Sequence, residues 1–448
     1  MHMPWTLRSS ALALVSLLTV GCGAASAPSG TGGAGGSSAG HAGGTAGTIG
    51  AGPGTAGTTG TAGTTGAAGT TGAGGQAGST GVAGSTGAGG TTGAGGGTAG
   101  TTGQNGGTTG TGGTAGTGSG YTPYACSGTF STPTLPAGSA ATRIAGAPPS
   151  DAFNNNGNNF TNVEGPVWIG NALYFSEMVN SPNPPPARIL KIDESDNVTM
   201  FYPASGTGGD SGSNGLAVDG AGRLVSANHG VGGIVAFNVA TQTEISPPLV
   251  DMFGGKRFDS PNDLTIRSDG TIYFTDPSFQ AASPAPQPMT GVYMLPAGSS
   301  TATAILPNVN GPNGITLSLD QHTLYVGSGG GVNAYAVNTD GSIGATATAV
   351  DGTNLNNNAT DGMAIDCAGD LYVVRVNTHD IDVVSFGGNP NSAGTHVGLI
   401  TGITGGGQLT NLAFGGADHK TLYITAQGAG TTQRGVFKLA MPVPGMPY

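Results

Sequence analysis

The chain has 448 residues, a formal net charge of −11, 88 glycines and only 8% charged side chains. With 12 Lys and Arg against 23 Asp and Glu it offers no basic face, which excludes nucleic-acid binding through phosphate contacts. No Lys, Arg, Asp or Glu falls between Ser9 and Thr142, so two different materials share one chain.

At the start, Arg8 precedes an apolar stretch, Ala11 to Val20, and then Gly21-Cys22. About ten apolar residues are too few to span a bilayer and suit a signal-peptide core, here residues 1–21. Leu18-Thr19-Val20-Gly21-Cys22 resembles a bacterial lipobox, with Thr19 where the pattern prefers Leu. That resemblance implies cleavage before Cys22 and lipidation of its sulfur. With Gly23 next, it also implies an outer-membrane lipoprotein facing the periplasm or the cell exterior. The competing reading is an ordinary signal peptide cut after Ala25 or Ala27.

Residues 22–120 are nearly all Gly, Thr, Ala and Ser. Such a segment has no apolar face to offset the entropy of ordering, so a disordered tether is expected. From Gly54 to Gly96 glycine recurs at every third position without any proline. A flexible linker and a collagen-like trimeric stalk both fit that register. The membrane is then reached only through the lipid anchor, and the head is expected to be monomeric.

Residues 121–448 carry a phrase repeated six times, beginning at Glu164, Asn214, Asn262, Asn313, Asp361 and Asn411, with gaps of 50, 48, 51, 48 and 50 residues. Glu164-Gly165-Pro166-Val167-Trp168 leads to Ala172-Leu173-Tyr174-Phe175. Asn262-Asp263-Leu264-Thr265-Ile266 leads to Thr271-Ile272-Tyr273-Phe274. Asp361-Gly362-Met363-Ala364-Ile365 leads to Asp370-Leu371-Tyr372-Val373. Short β-branched and aromatic runs joined by Gly-rich turns are hairpins, and each repeat has room for two more strands. The expected fold is all-β: a six-bladed β-propeller with four antiparallel strands per blade. An edge left open would be a liability, so Ala141–Gly146 is expected to pair with the last blade near Val436-Phe437-Lys438-Leu439. Besides Cys22 only Cys126 and Cys367 occur. In an oxidising compartment they form a disulfide or remain two buried thiols.

A propeller gathers equivalent positions around one axis, so the six opening residues should converge at the channel mouth. Two carboxylates with several amide oxygens are hard ligands that suit Ca²⁺, with Mn²⁺, Mg²⁺ or Zn²⁺ as alternatives. With no His or Cys in the set, a tetrahedral zinc site of that kind is disfavoured. The plainer reading makes Asn-Gly and Asp-Gly turn dipeptides, and the Asn wheel a lining for channel water.

Glu164-Gly165-Pro166-Val167-Trp168, Ser260-Pro261-Asn262-Asp263-Leu264, Tyr273-Phe274-Thr275-Asp276-Pro277, Gly311-Pro312-Asn313-Gly314-Ile315 and Asp361-Gly362-Met363-Ala364-Ile365-Asp366 together resemble the regucalcin–gluconolactonase family, in its bacterial gluconolactonase branch. The resemblance implies one divalent cation held by Glu164, Asn262, Asn313 and Asp361, with Asp361 also the base that activates water. It implies hydrolysis of a small-molecule sugar lactone. Asn214 and Asn411 are not carried over as ligands. Animal members have an Arg two positions before Asn262 that contacts substrate; Ser260 stands there instead, which implies a different lactone.

Other candidates are weaker. His229 either faces the pocket, orienting substrate or moving a proton, or is a surface-turn histidine. Asp263 either supports the neighbouring ligand or is an exposed acid at a strand start. Asn214 is at most a substrate contact. The loop Ala281–Met289, with three prolines, reads as a blade connection or an entrance wall. The functional alternatives are a propeller that binds without turnover and a metal-dependent arylesterase or organophosphate hydrolase.

Overall fold

The computed structural model describes residues 121–149, 159–179, 184–204, 212–352, 355 and 357–447. The expected signal peptide, Cys22 and the tether lie outside them. Among the described residues there is no α-helix, only a short 3₁₀ turn at Gly138–Ala140.

Six four-stranded antiparallel sheets follow one another along the chain. From the inside outward, blade one is Asn162–Ile169, Ala172–Met178, Ala187–Asp193 and Val198–Tyr202. Blade two is Ser213–Val218, Leu224–Asn228, Gly233–Asn238 and Thr243–Val250. Blade three is Leu264–Ile266, Ile272–Asp276, Gly291–Leu295 and Thr303–Pro307. Blade four is Ile315–Leu317, Thr323–Ser328, Gly331–Val337 and Ile343–Ala349. Blade five is Thr360–Ile365, Leu371–Arg375, Asp380–Ser385 and Thr395–Ile400. Blade six is Gln408–Gly415, Thr421–Gln427 and Gly435–Ala440. Its outermost strand is Thr142–Arg143, from the other end of the chain.

A blade is covered on both faces by its neighbours, so its middle strands are buried throughout, as in Leu371–Arg375. The outermost strands meet water and turn polar, as in Ile343–Ala349. Six apolar clusters result, one between each pair of consecutive blades. The sixth joins blade six back to blade one through Phe160, Trp168, Phe175, Tyr423 and Val436. Each fully buried Phe or Ile contributes about 1.5–3 kcal/mol.

Ring closure follows the expected pairing. Thr142 faces Lys438 and Arg143 faces Phe437, and the Ile144 amide donates to the Val436 carbonyl at 2.9 Å. A second closure has no counterpart in the repeat. The C-terminal residues Pro444–Pro447 run across the lower ends of blades five, six and one. Met446 donates to Ile365, and the carbonyls of Pro444, Met446 and Pro447 accept from Cys367, Phe414 and Trp168. Backbone groups that a central channel would leave open are thereby satisfied.

Cys126 is joined to Cys367 in a disulfide, with Cα atoms 5.4 Å apart. The crosslink ties the segment that follows Tyr121 to blade five, and the Tyr124 ring stacks on His419 of blade six at 3.7 Å.

Candidate active site

Each opening residue sits at a β-bulge. The register shifts between Glu164 and Val167, Ser213 and Leu216, Thr360 and Met363, and Leu409 and Leu412. In blade three the Asn262 amide donates to Thr275 and the Thr275 amide to Asp263. In blade four the Asn313 amide donates to Gly327 and the Gly327 amide to Gly314. A bulge sets one residue out of the pleat and re-aims its side chain.

The glycine after the opening residue has a purpose other than turning. A methyl group at Gly165 would collide with the Asn214 carbonyl, one at Gly314 with the Asp361 carbonyl, and one at Gly362 with the Asn411 side chain. At Gly215 it would lie 2.7 Å from the Asn262 carbonyl oxygen, which accepts the Gly215 amide at 2.7 Å. Gly165 also needs its positive φ of 54°. These glycines let successive blades touch backbone to backbone around the axis, so Asn-Gly and Asp-Gly here lie within or against strands and are not hairpin turns.

Three carboxyls of this ring are buried and electrostatically coupled. Burial raises the Glu164 carboxyl well above its ordinary range, and Asp361 and then Asp263 raise it further. The Asp361 carboxyl is likewise raised, by burial and then by Asp263, against donation from the Gly362 amide and the Asn313 side chain. Asp263 is pushed up to about 7, mainly by burial. Asn313 therefore gives its side-chain amide to Asp361, while its own Oδ1 is buried with no hydrogen-bond partner among the described residues. An orphaned amide oxygen costs about 1–3 kcal/mol. A hard cation beside it and two carboxylates would remove both that cost and the like-charge repulsion. The donor chemistry of Glu164, Asn262, Asn313 and Asp361 fits such an ion. Among the described residues no three His, Cys, Asp or Glu side chains are arranged to hold a metal; the expected set does not ask for three, since half its donors are amides.

The remaining candidates have other employment. Asp263 is 7% exposed, so it is no solvent-facing acid. Among the described residues its partners do not include the Asn262 side chain. Its carboxylate accepts the Leu264 amide at 3.0 Å and the Ile315 amide at 3.3 Å, together with the side chain of Asn411. The Asn411 oxygen is engaged by the Leu412 amide at 2.8 Å, which leaves Asn411 lining the channel. Asn214 is buried, and its carbonyl accepts the Ser176 hydroxyl at 2.7 Å.

His229 is no surface-turn histidine. It is 0% exposed, and its Nε2 donates to the Pro185 carbonyl at 2.7 Å. Burial holds its pKa down to about 4, so the ring is neutral at physiological pH. Ser260 is also fully buried and donates its hydroxyl to Pro277 at 2.5 Å. Ser260 thus serves the packing of this loop.

Sequence reasoning passed over three residues near the ring. Asp276 and Gln287 tie down the loop before Asn262. Phe279 is 51% exposed, with its ring over Gly311, two residues before Asn313. The only advance signal was Asp276 inside the Tyr-Phe-Thr-Asp-Pro phrase.

The opposite, lower end holds a cavity of about 650 Å³ lined by Tyr121, Tyr124, Asp219, Arg267, Leu319 and Met446. Its acids are occupied in turns. Asp219 accepts the amides of Ala221 and Arg223, and Asp320 accepts the Ser318 hydroxyl and the His322 amide. The convergent, underpartnered groups belong to the upper ring.

Residues 163–428 match the family model described as SMP-30/Gluconolactonase/LRE-like region. The chain belongs to this family. It is similar to a gluconolactonase of Zymomonas mobilis, 33% identical over 179 residues, a match covering 36% of this chain and 48% of the relative. The chain thus spans about half the length of that curated relative. Among solved structures it is similar to a gluconolactonase from Xanthomonas campestris, 28% identical with a TM-score of 0.51, covering 63% of this chain and 87% of that one. A structural-genomics target described as a candidate gluconolactonase shares the fold, at 22% identity and a TM-score of 0.54, over 70% of this chain and 96% of the other.

Proposed function

We propose that the family member described here is a lactonase that hydrolyses a sugar lactone, gluconolactonase-like, at the upper end of the propeller channel. The likenesses to the Zymomonas and Xanthomonas gluconolactonases support the reaction class. The observation that carries the site is the unpartnered Asn313 Oδ1 beside the raised carboxyls of Asp361 and Glu164. Glu164, Asn262, Asn313 and Asp361 would hold one divalent cation, with Ca²⁺ the best match to an all-oxygen set. When bound, such an ion supplies Lewis-acid polarisation of the lactone carbonyl and charge stabilisation of the oxyanion.

The chain's own groups do the rest. Asp361, oriented by Asn313, accepts the proton of the attacking water as its oxygen bonds to the carbonyl carbon. The bond from that carbon to the ring oxygen then breaks, and the ring oxygen leaves as a hydroxyl once it regains a proton from Asp361. The product is an aldonic acid. Glu164 contributes charge and no covalent step. The strand crossing by Pro444–Pro447 covers the lower end, so substrate enters and leaves from above.

The N-terminal reading stays part of this proposal: export, lipidation at Cys22 and a tether ending at the head. The disulfide supports it, because such bonds persist in oxidising compartments.

The test is base uptake at constant pH with glucono-δ-lactone, an aryl ester and an organophosphate as parallel substrates. Lactone turnover above the enzyme-free rate supports the proposal. Turnover of the ester or organophosphate alone reassigns the reaction, and cation binding without turnover of any makes the propeller a binder.

A further inference from the structure

We propose that Asp276 is a positioning residue that sets the loop presenting Asn262, through two backbone amides and without touching the site itself. The inference rests on the reading of Asn262 as a cation ligand.

Asp276 ends the second strand of blade three at the upper face and is 0% exposed. Its Oδ1 accepts the Ser260 amide at 2.8 Å and its Oδ2 the Asp259 amide at 3.0 Å. Among the described residues no cation lies at ion-pair distance of it. A carboxylate buried in this way is costly, and its compensation is the pair of amides it orders. Those amides lie two and three residues before Asn262. The next tie is the Asn262 amide itself, donated to Thr275 at 2.9 Å. The Ser260 hydroxyl adds a bond to the carbonyl of Pro277, just past the end of that strand. Asp259, Ser260 and Asn262 are therefore each tied to residues 275–277.

The outer side of the loop is held just as firmly. Asp259 accepts the Gln287 amide at 2.6 Å. The Gln287 side chain donates to the carbonyls of Phe253, Lys256 and Arg257 at 3.0, 2.9 and 3.0 Å. The proline-bearing loop Ala281–Met289 thus braces the Asn262 loop from behind, an employment that neither reading from sequence contained. Asp276 is the joint between that brace and the blade. Asn at 276 keeps one carbonyl acceptor and loses the other; Ala loses both.

The experiment compares the full protein with Asp276→Asn and Asp276→Ala, all first freed of metal. Two quantities are read: Ca²⁺ affinity by calorimetry with CaCl₂, and amide hydrogen exchange over residues 258–264 without metal. Partners that orient a ligand typically carry a 10–100-fold effect on metal affinity. Asp276→Asn is expected to weaken Ca²⁺ binding about tenfold and Asp276→Ala by more. Exchange in 258–264 should quicken in the same order while blades one, five and six keep their protection. Wild-type affinity or wild-type exchange in both variants overturns the proposal. Protection lost evenly over all blades also overturns it, since Asp276 would then serve general stability. A wild type that takes up no Ca²⁺ instead refutes the reading of Asn262 as a ligand, and is told apart by that result.

Discussion

Asn313 donates its side-chain amide to Asp361 and keeps its own Oδ1 buried without a partner. One residue thereby orients the proposed base and offers the oxygen that a cation would complete. The two functions separate on mutation. Asp361→Asn should lower kcat about 10²–10⁴-fold, the usual contribution of general-base catalysis. Asn313→Ala should weaken Ca²⁺ binding at least tenfold, about 1.4 kcal/mol, with kcat partly regained at high Ca²⁺. Steady-state kinetics across a Ca²⁺ series checks both.

The glycines of the ring predict a graded loss of stability. Gly165 and Gly170 both have positive φ, 54° and 64°. An added methyl at Gly170 meets nothing within 4 Å, whereas at Gly165 it collides with blade two. Gly170→Ala should cost about 1–2 kcal/mol, the left-handed backbone penalty alone. Gly165→Ala should cost about 1–3 kcal/mol more, from overpacking. Denaturant midpoints measure the difference.

Much of the architecture was legible because the propeller repeats. Equal spacing located the blade starts, and apolar runs located the strands, including Thr142–Arg143 as the outsider that closes the ring. What stayed hidden lies outside the repeat or depends on approach between blades. The Pro444–Pro447 crossing has no periodic signal. Gly215 and Gly362 look like turn formers until the neighbouring blade is seen against them. His229 reads from sequence as either a pocket-facing or a surface-turn residue, and its burial against the chain at Pro185 has no local signal.

The disulfide closes a separation of 241 residues at the end away from the ring. Its loss should cost roughly 2–5 kcal/mol, with the longest loops at the upper end. Cys367→Ser should accordingly lower the melting temperature while leaving kcat/KM at 25 °C within about twofold. Calorimetry and kinetics on one preparation test the pair of expectations.

His229 predicts a pH dependence of stability. Its folded pKa of about 4 lies below the ordinary 6.5. The unfolded chain therefore binds more protons between these values, and stability present above pH 6.5 is lost as pH falls toward 4. The full span is worth about 3 kcal/mol. Asp276, raised to about 7 by burial, works in the opposite sense: its contribution is present below pH 4 and lost as pH rises through 7. Comparing His229→Gln with the parent chain isolates the histidine. The parent should lose more stability than the variant between pH 7 and pH 4.5, by urea unfolding.

Proton release from glucono-δ-lactone, followed at constant pH above the enzyme-free rate, tests the central claim most directly. It is read before chelation, after chelation and after Ca²⁺ is returned, for the parent chain and for Asp361→Asn. The account predicts turnover that disappears with chelator, returns with Ca²⁺ and stays absent in the variant. Turnover that persists in chelator, or in Asp361→Asn, would contradict it.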